Sequence, residues 1–280
     1  MKKNKLVTPV LKWVGGKRQL LPEIKKHIPK YNTYYEPFVG GGAVMFELQP
    51  SNIVINDINL ELMNVYSVIK NNVDDLIKEL SNNKKYANNS ESFYTIRELD
   101  REPKKYNKLT GIEKAARILY LNKTCYNGLY RVNSLGEFNS PFGNYKNPNI
   151  NNEITLKAVS KYFNEANIKF MNTDFEKAIK NAKKGDFVYF DPPYAPISKT
   201  SNFTGYNEGG FGESEQERLK RVCDKLNDKG VKFLLSNSDC EYIRNLYKDY
   251  KIVTIRAKRS INSNGDGRGT VSEVLIKNYE

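Results

Sequence analysis

The sequence predicts an α/β fold, because strand patterns and helix patterns alternate along most of the chain. Short runs rich in β-branched and aromatic residues, such as Phe187-Val188-Tyr189-Phe190, are separated mostly by longer stretches with helical spacing. Alternation of this kind is typical of a sheet covered by helices. The expected strands lie near residues 34–38, 53–57, 168–172, 186–191, 231–236, 251–258 and 272–279.

One helix in the second half of the chain is indicated by three local signals. Ser214 and Glu217 have the spacing of a capping box, and Gly230 is placed to terminate the helix. The apolar residues between them recur at helical spacing and should face the core. These residues are Leu219, Val222, Cys223 and Leu226.

Strand signals nearly disappear between residues 60 and 150, where helical patterns take over. Helices are expected around 59–70, 73–80, 92–100 and 111–126, and the last of them is opened by Thr110 and Glu113. The chain length allows one core plus an insertion. We therefore predict that residues 1–59 and 151–280 form one domain and that residues 60–150 form an inserted helical domain.

The chain is strongly basic, with 45 Lys and Arg against 32 Asp and Glu and a formal net charge of +13. This excess suits a polyanionic partner that is held through its phosphates. An AT-rich genome, which favours Lys and Asn, is a second cause. The basic residues are nevertheless clustered. Arg256, Lys258, Arg259 and Arg268 surround a late hairpin, and Lys123, Arg131 and Lys146 flank a segment rich in Gly and Asn.

The possible metal ligands and membrane segments are few. Three cysteines, Cys125, Cys223 and Cys240, have no close-paired spacing, and His27 is the single histidine. Because these residues supply too few ligands for a zinc site, we expect no metal. The absence of a long apolar stretch or signal-like segment predicts no membrane association and a cytoplasmic location.

Two strand ends predict a site for an adenosine-like molecule. An extended aromatic run ends in Gly40-Gly41-Gly42, where the backbone can approach a ligand without a Cβ clash. The next strand ends at Asp57, whose carboxylate could hold ribose hydroxyls. Asp57 could also cap the helix that follows it.

Three further residues could complete this site. Trp13, the only tryptophan, precedes two glycines and Lys17, so the indole could pack on a cofactor and the ammonium could reach a carboxylate. A surface loop with one buried indole is the alternative for this segment. Asp174 follows a third expected strand and could accept a hydrogen bond from the amine of an adenine ring.

The tetrapeptide Asp191-Pro192-Pro193-Tyr194 suits methylation of an exocyclic amine. The lone pair of such an amine is delocalised into the ring, so the site must favour pyramidal nitrogen. The Asp191 carboxylate and the Pro192 carbonyl are acceptors that could take the two N–H hydrogens. Consecutive prolines make the turn stiff, and Tyr194 offers a flat face for a base. A strand that merely ends in a proline turn is the structural alternative.

Cysteine placement favours an amine rather than carbon 5 of cytosine as the methyl acceptor. Methylation at that carbon needs a thiolate nucleophile, normally in a Pro-Cys turn. Here Cys125 follows Thr124. Direct attack by an amine fits the sequence better.

Together these motifs resemble the Dam-type DNA adenine N6 methyltransferases, a group that includes bacterial GATC-specific enzymes. The resemblance runs nearly from end to end, and its motifs occur in the family's order: glycine turn, recognition segment, catalytic tetrapeptide. The matching stretches are 12–17, 36–42, 55–59, 126–133, 138–145, 191–194 and 235–237.

The resemblance implies a Rossmann-like S-adenosylmethionine-dependent methyltransferase sheet with an inserted helical DNA-recognition domain that carries a β-hairpin. It also implies double-stranded DNA as partner, a bacterial or phage origin, and either a solitary role or a separate cognate restriction endonuclease. The residues at the family's S-adenosylmethionine positions are Trp13, Lys17, Asp57 and Asp191, and Asp191 also falls at the target amine. We expect Phe38 and Gly40, in the matching stretch 36–42, to join the cofactor site, and Pro192 and Tyr194 to join Asp191 in catalysis.

Residues 127–145 predict a hairpin around Ser134-Leu135-Gly136 that could enter a major groove. By the resemblance, Arg131 would contact guanine, Asn133 adenine and Pro141 a thymine methyl, which makes GATC the expected site. Lys12, Leu129 and Tyr145 match further DNA-contact positions. The chain has Asn144 where relatives often have a basic residue, and the expected hairpin tip is uncharged. Binding of this segment to DNA phosphates should therefore be weaker.

The target adenine must leave the duplex for its amine to be reached. Tyr194 would receive the extruded base, and Tyr126 with Asn127 would fill the gap. Residues 195–213 form a long polar, glycine-rich loop, which we interpret as a lid.

Two other function classes remain as alternatives. One is a methyltransferase that acts on RNA or on a protein glutamine, where Asn often replaces the Asp of the tetrapeptide. The other is a catalytically silent DNA-binding module, which would leave the glycine turn, Asp57 and the tetrapeptide unexplained.

Overall fold

The computed structural model describes residues 3–17, 19–196, 210–258 and 270–280. The chain divides into two compact units. Unit 1 consists of residues 1–16, 39–51 and 57–172, and unit 2 consists of residues 17–38, 52–56 and 173–280. The glycine turn is grouped with the helical segment in unit 1. The insertion of a recognition domain stays a prediction.

The fold is mixed α/β, as the sequence predicts. Within the described residues, the strands form a seven-stranded sheet in the order β3-β2-β1-β4-β5-β7-β6. The strands are β1 Tyr34–Glu36, β2 Asn52–Asn56, β3 Asn167–Met171, β4 Phe187–Phe190, β5 Lys232–Ser238, β6 Lys251–Lys258 and β7 Thr270–Lys277. β1 pairs in parallel with β2 and β4, and β4 with β5, whereas β7 pairs antiparallel with β5 and β6.

Helices connect most of the strands and fill the segment between β2 and β3. They are α1 Leu21–Lys26, α2 Ala43–Leu48, α3 Leu60–Asn71, α4 Val73–Leu80, α5 Ser90–Arg97, α6 Pro103–Tyr106, α7 Gly111–Thr124, α8 Glu153–Glu165, α9 Phe175–Ala178, α10 Glu213–Asp228 and α11 Glu241–Leu246. Two short 3-10 helices cover Glu98–Arg101 and Tyr126–Gly128. The expected strands and the four expected helices of the helical segment are therefore confirmed to within a few residues.

The predicted helix caps have different outcomes. The capping box that opens α7 is present, because Thr110 accepts from the backbone of Glu113 and the Glu113 carboxylate accepts from that of Thr110. Gly230 has a left-handed φ of 68° beyond the end of α10, as expected of a terminating glycine. The capping box at Ser214 was wrong: α10 begins at Glu213 with Gly212 as its N-cap and no side-chain cap bond. Ser214 lies inside the first turn, where its hydroxyl cannot act as the N-cap.

Unit 2 contains a core built on β4 and β5. All four residues of β4 have no exposed side-chain surface, as in a parallel strand that is covered on both faces. The predicted apolar stripe of α10 packs into this core, which confirms its interpretation.

Unit 1 is largely helical. Helix α3 contacts α7 and α8, and α4 contacts the same two helices. Among its buried aromatic residues, Phe46 stacks on Phe163 with ring centroids 5.9 Å apart, and Tyr66 meets Phe163 edge-on. These helices therefore enclose their own apolar core.

Several sequence-based expectations lie outside the described residues. They are residues 197–209 of the expected lid, together with Arg259 and Arg268 of the late basic cluster. Among the helices that the structure does describe, none is long and apolar enough to cross a membrane.

Candidate functional site

The proline-rich tetrapeptide directly follows β4 and carries a compact group of charged and aromatic side chains. The ammonium of Lys17 lies 2.9 Å from Oδ1 of Asp191. The same ammonium lies 4.4 Å from the ring centroid of Tyr194. Tyr194 in turn donates a 2.6 Å hydrogen bond to the carboxylate of Glu273 on β7. The structure thus brings together three residues that the sequence assigned to one site and adds Glu273 to them.

The electrostatics of this group favour a carboxylate that is poised to accept hydrogen bonds. Burial raises the pKa of Asp191 above its usual value, and the Lys17 ammonium opposes this shift. The pKa of Tyr194 is raised well above its ordinary value by burial and by the neighbouring Asp191 and Glu273. Tyr194 therefore stays a neutral phenol that can donate to Glu273. The Lys17 side chain is only 6% exposed, so its charge acts on Asp191 with little solvent screening.

Buried polar side chains hold the backbone of the turn formed by residues 191–195. Gln216 donates a 2.9 Å hydrogen bond to the carbonyl of Pro193. The side-chain oxygen of Asn237 accepts a 3.0 Å hydrogen bond from the amide of Ala195. The hydroxyl of Ser238 donates to the carbonyl of Ala195. Because these side chains are themselves buried, the turn is fixed on both sides of Tyr194. Of these positions, only Asn237 lies in a stretch that the family resemblance marked.

The glycine turn and Asp57 form one hydrogen-bonded arrangement in unit 1. The amide of Gly40 donates a 3.0 Å hydrogen bond to Oδ2 of Asp57, and Oδ1 accepts from the amide of Asn59. Gly40 and Gly42 have left-handed φ values of 46° and 68°. The positive φ at Gly42 favours glycine, and a Cβ there would also lie 2.7 Å from the terminal methyl of Met45 and 3.0 Å from the ring of Phe46.

Asp57 is not the cap of α3. That role belongs to Asn59, whose side chain accepts from the amide of Leu62. Burial raises the pKa of Asp57, while the backbone amides of Asn59 and Gly40 lower it. The carboxylate is therefore held beside the glycine turn, where the sequence predicted a ribose contact.

Trp13 packs against the glycine turn of the same unit. Its ring stacks on Tyr130 with centroids 4.6 Å apart and an interplanar angle of 17°. A Cβ on Gly40 would lie 2.9 Å from the indole, and one on Gly41 would lie 3.0 Å from the Trp13 Cβ. The indole is thus part of the packed wall of the turn and not simply a residue of a surface loop.

Phe38 and Asp174, two further predicted cofactor residues, lie in unit 2. The Phe38 ring centroid is 5.2 Å from that of Phe175 and 5.6 Å from that of Phe211. Asp174 caps α9 through the amide of Glu176 and pairs with Arg218. These residues form an aromatic wall with a carboxylate beside it. Both contacts of the Asp174 carboxylate are made by Oδ1, and its hydrogen bond to the amine of an adenine ring stays a prediction.

The segment 125–143 folds back on itself through single antiparallel bridges. Cys125 bridges Phe142, and Val132 bridges Phe138. Between the inner pair, the amide of Asn133 donates to the carbonyl of Glu137 at 2.9 Å. We call residues 131–139 the recognition ribbon. No regular strand is formed within it, so the predicted hairpin is present only as these isolated bridges, and its role stays a prediction.

The side chain of Asn133 holds the turn of the recognition ribbon. Its oxygen accepts from the amides of Leu135 and Glu137, and its amide group donates to the Glu137 carboxylate at 2.7 Å. Arg131 is exposed and donates to the carbonyl of Asn139 at 3.0 Å. The polar atoms of the Asn133 side chain therefore already form hydrogen bonds within the protein, and a contact with adenine would involve the same atoms.

The remaining predicted DNA-contact residues lie in unit 1 near the end of α7. Asn122 pairs with both backbone groups of Lys12 at 2.8 Å, which fixes the N-terminal segment to α7. Asn127 has a left-handed φ of 58° next to Tyr126, which is 60% exposed. The other members are Leu129, which is half-buried, and the exposed Pro141 and Tyr145.

No cluster of His, Cys, Asp and Glu that could hold a metal ion occurs among residues 3–17, 19–196, 210–258 and 270–280. The described cysteines are free thiols, and burial raises the pKa of Cys125 to about 11. That shift disfavours the thiolate that nucleophilic attack on cytosine would need.

Comparison with known proteins identifies the family. The family described as D12 class N6 adenine-specific DNA methyltransferase matches residues 13–261. The Type II methyltransferase M1.LlaDCHI of Lactococcus lactis subsp. cremoris is 46% identical, with 100% of this chain and 98% of that protein covered. The DNA adenine methylases of Serratia marcescens and Escherichia coli K12 are each 37% identical over 98% of this chain, with 98% and 95% of their own lengths covered. The chain therefore belongs to the D12 class of N6 adenine-specific DNA methyltransferases.

Proposed function

We propose that this protein transfers a methyl group from S-adenosylmethionine to N6 of an adenine that has left the DNA duplex. The recognition sequence in this proposal is GATC. The observation that carries this proposal is the Asp191 carboxylate in its proline-stiffened turn, paired with Lys17 and next to Tyr194. Family membership supports adenine in DNA as the substrate class. In this proposal residues 1–59 and 151–280 form a Rossmann-like cofactor-binding domain, and residues 60–150 form the recognition domain.

We propose cofactor-contact residues for each of the two units. In unit 1, the glycine turn leaves no room for a Cβ beside Trp13, and Asp57 presents a carboxylate next to Gly40. In unit 2, Phe38 offers an aromatic face, and Lys17 offers the cation for a carboxylate. These residue types fit the adenosine and the amino-acid portion of S-adenosylmethionine. When bound, the cofactor supplies an electrophilic methyl group on a sulfonium.

The residues of the catalytic turn activate the amine. Asp191 and the Pro192 carbonyl accept one N6 hydrogen each, which favours pyramidal nitrogen and stabilises the positive charge that develops on it. Tyr194 stacks on the base, and its hydrogen bond to Glu273 fixes the ring. N6 would gain the methyl group as the S–C bond of the donor breaks, and the resulting cationic nitrogen would then lose one proton to water, so the step needs no general base.

The recognition contacts follow from the exposed side chains of unit 1. Arg131 donates two hydrogen bonds to a guanine edge, and Pro141 rests on a thymine methyl. Tyr126 and Asn127 fill the space that the extruded adenine leaves. Extrusion costs a few kcal/mol, which new stacking must offset. Lys12, Leu129, Asn133 and Tyr145 complete the proposed interface.

Transfer of labelled methyl groups from S-adenosylmethionine tests this proposal. Duplex DNA with GATC sites should be labelled on adenine, while RNA and duplexes without GATC should not. Asp191→Ala should abolish transfer while DNA affinity is kept, and Asp249→Ala, which removes an exposed carboxylate, serves as the control. Label on RNA or on protein, or an active Asp191→Ala variant, would contradict the assignment.

A further inference from the structure

The 3-10 helix Glu98–Arg101 pairs with the backbone of the recognition ribbon. The carboxylate of Asp100 accepts a 2.8 Å hydrogen bond from the amide of Phe138. The guanidinium of Arg101 donates a 3.0 Å hydrogen bond to the carbonyl of the same residue. Arg101 also donates to the Asp100 carboxylate at 3.1 Å. Two adjacent side chains thus satisfy both backbone groups of Phe138, as a neighbouring strand would in a sheet.

Asp100 is fixed in turn to the helical core of unit 1 by Arg117. The Arg117 guanidinium lies 2.6 Å from Oδ2 of Asp100, and its side chain is only 2% exposed. It also donates to the carbonyls of Ile96 and Arg97 at 3.0 and 2.8 Å. A buried, charge-assisted anchor of this kind is short and directional, so it allows Asp100 little movement. We call Asp100, Arg101 and Arg117 the ribbon clamp.

Phe138 links the ribbon clamp to Arg131 and Asn133, the residues that we propose contact bases. Phe138 is buried and bridges Val132 across the ribbon. One residue further on, the amide of Asn139 donates to the carbonyl of Arg131 at 2.7 Å. On the other side, Glu137 binds the side chain of Asn133 and lies 3.7 Å from Nε of Arg101. Backbone displacement at Phe138 would therefore move Arg131 and Asn133.

We propose that Asp100 and Arg101 are positioning residues that set the sequence specificity of methylation. The proposal rests on the proposed function, in which Arg131 and Asn133 read base edges. A bidentate hydrogen bond to a base edge requires a fixed donor geometry, whereas attraction to phosphates tolerates movement. Loss of the clamp should therefore reduce discrimination between DNA sequences more than it reduces overall DNA affinity.

The experiment compares methylation of two duplexes that differ by one base pair. The preferred site of the unaltered protein is first determined by mapping methylated adenines in a mixed-sequence DNA. The ratio of kcat/KM on the preferred duplex to that on the changed duplex is then measured for Asp100→Ala and Arg101→Ala. Glu102→Ala is the control, because Glu102 lies in the same stretch, carries the same charge as Asp100 and, among the described residues, forms an ion pair only with the exposed Lys105.

We expect Asp100→Ala and Arg101→Ala to lower the specificity ratio by roughly tenfold or more, since each good base contact contributes about that much discrimination. The Glu102→Ala control should keep the ratio of the unaltered protein. A variant that only loses folded protein would lower both rates together and leave the ratio unchanged. Asp100→Asn and Arg101→Lys, which keep part of the hydrogen bonding, should restore part of the ratio.

The outcomes separate this inference from the proposed function. If the unaltered protein discriminates but both alanine variants keep its ratio, the positioning role is overturned and the proposed function stands. If the unaltered protein methylates adenine without discrimination, the proposed sequence specificity and the inference both fail. If Asp100→Ala does not fold, Arg101→Ala and Asp100→Asn decide the question by the same ratio.

Discussion

The ammonium of Lys17 and the carboxylate of Asp191 form an ion pair with 2.9 Å between Nζ and Oδ1. Both side chains are largely buried, so this pair fixes the charge state of the residue that we assign to the target amine. Burial alone raises the pKa of Asp191, and Lys17 opposes that shift. Lys17 therefore has a role in keeping Asp191 ionised, in addition to the cofactor contact that the sequence predicted.

Lys17→Met should move the acidic limb of the methylation rate to higher pH. Without the ammonium, burial raises the pKa of Asp191 further, so a higher pH is needed to produce the hydrogen-bond-accepting carboxylate. Single-turnover rates at saturating S-adenosylmethionine and DNA, measured between pH 5 and 9, give the midpoint of the limb. Lys26→Met removes an exposed lysine of α1 and should leave the midpoint unchanged. An unchanged midpoint in Lys17→Met would refute this role.

Tyr194→Ala should lose more activity than Tyr194→Phe. The Phe variant keeps the ring for stacking and loses only the hydrogen bond to Glu273, whereas the Ala variant loses the stacking surface as well. Base stacking on an aromatic side chain is worth about 1–3 kcal/mol, so kcat/KM of the Ala variant should be at least several-fold lower. Equal activity of the two variants would show that the ring does not contact the base.

Asp57→Ala should weaken S-adenosylmethionine binding by roughly ten- to hundredfold, the usual effect of losing hydrogen bonds to a charged group. The substitution also leaves the Gly40 amide without its acceptor. Asp57→Asn keeps an acceptor for that amide and should have an intermediate affinity. Titration calorimetry gives the dissociation constants, with the exposed Asp75→Ala as the control. A normal affinity in Asp57→Ala would exclude Asp57 from the cofactor site.

Glu61 predicts a pH-dependent difference in stability. Burial raises its pKa from 4.5 to about 7 despite the guanidinium of Arg117. The folded state therefore binds the Glu61 proton more tightly than the unfolded state does, and this group's contribution to stability is lost as the pH rises from about 4.5 to about 7. Glu61→Gln removes this titration. Relative to the unaltered protein, the variant should gain about 1–3 kcal/mol of unfolding free energy between pH 5 and 8.

Urea denaturation at several pH values measures this change, and only its pH dependence matters, since the substitution also alters local hydrogen bonds. One of these is the bond that the Tyr106 hydroxyl donates to Glu61. A difference in unfolding free energy that is the same at pH 5 and pH 8 would show that Glu61 titrates normally.

Arg131→Ala should relax the preference for guanine at one position of the site. Each good bidentate contact contributes about 1–3 kcal/mol of discrimination against the wrong base. Arg131 is exposed and its guanidinium now donates to the carbonyl of Asn139, so the variant should remain folded. The measurement is the kcat/KM ratio for duplexes that differ at each base of the site. If the loss is uniform over all positions, Arg131 contacts phosphate instead of a base.

Much of the fold could be predicted because its signals are local. The run of four buried residues in β4, the glycines of the βα turn and the Thr110–Glu113 cap each identify a structure from a few neighbouring residues. The predicted capping box at Ser214 was wrong because it, too, depended on a local pattern alone. A Ser-x-x-Glu pattern fixes a helix start only to within one or two residues, and here the N-cap is Gly212, two positions before Ser214.

The site was only partly predictable, because several contacts depend on tertiary structure. Tyr194 and Glu273 are 79 positions apart in the chain. Glu273 is placed by the antiparallel pairing of β5 with β7, in which Ser238 lies opposite Glu273. The buried Arg117 has no pattern that marks it as an anchor, since a charged residue in an amphipathic helix is normally expected on the surface. The ribbon clamp likewise depends on the separate positions of the 3-10 helix and the ribbon.

The most direct test is nucleoside mass spectrometry of duplex DNA that has been incubated with the purified protein and S-adenosylmethionine. We expect N6-methyldeoxyadenosine from a duplex that contains GATC, but not from a matched duplex without GATC, with the unaltered protein, and none from either duplex with Asp191→Ala. Methylated cytosine, or no methylated deoxyadenosine at all from a folded protein that binds both substrates, would contradict it.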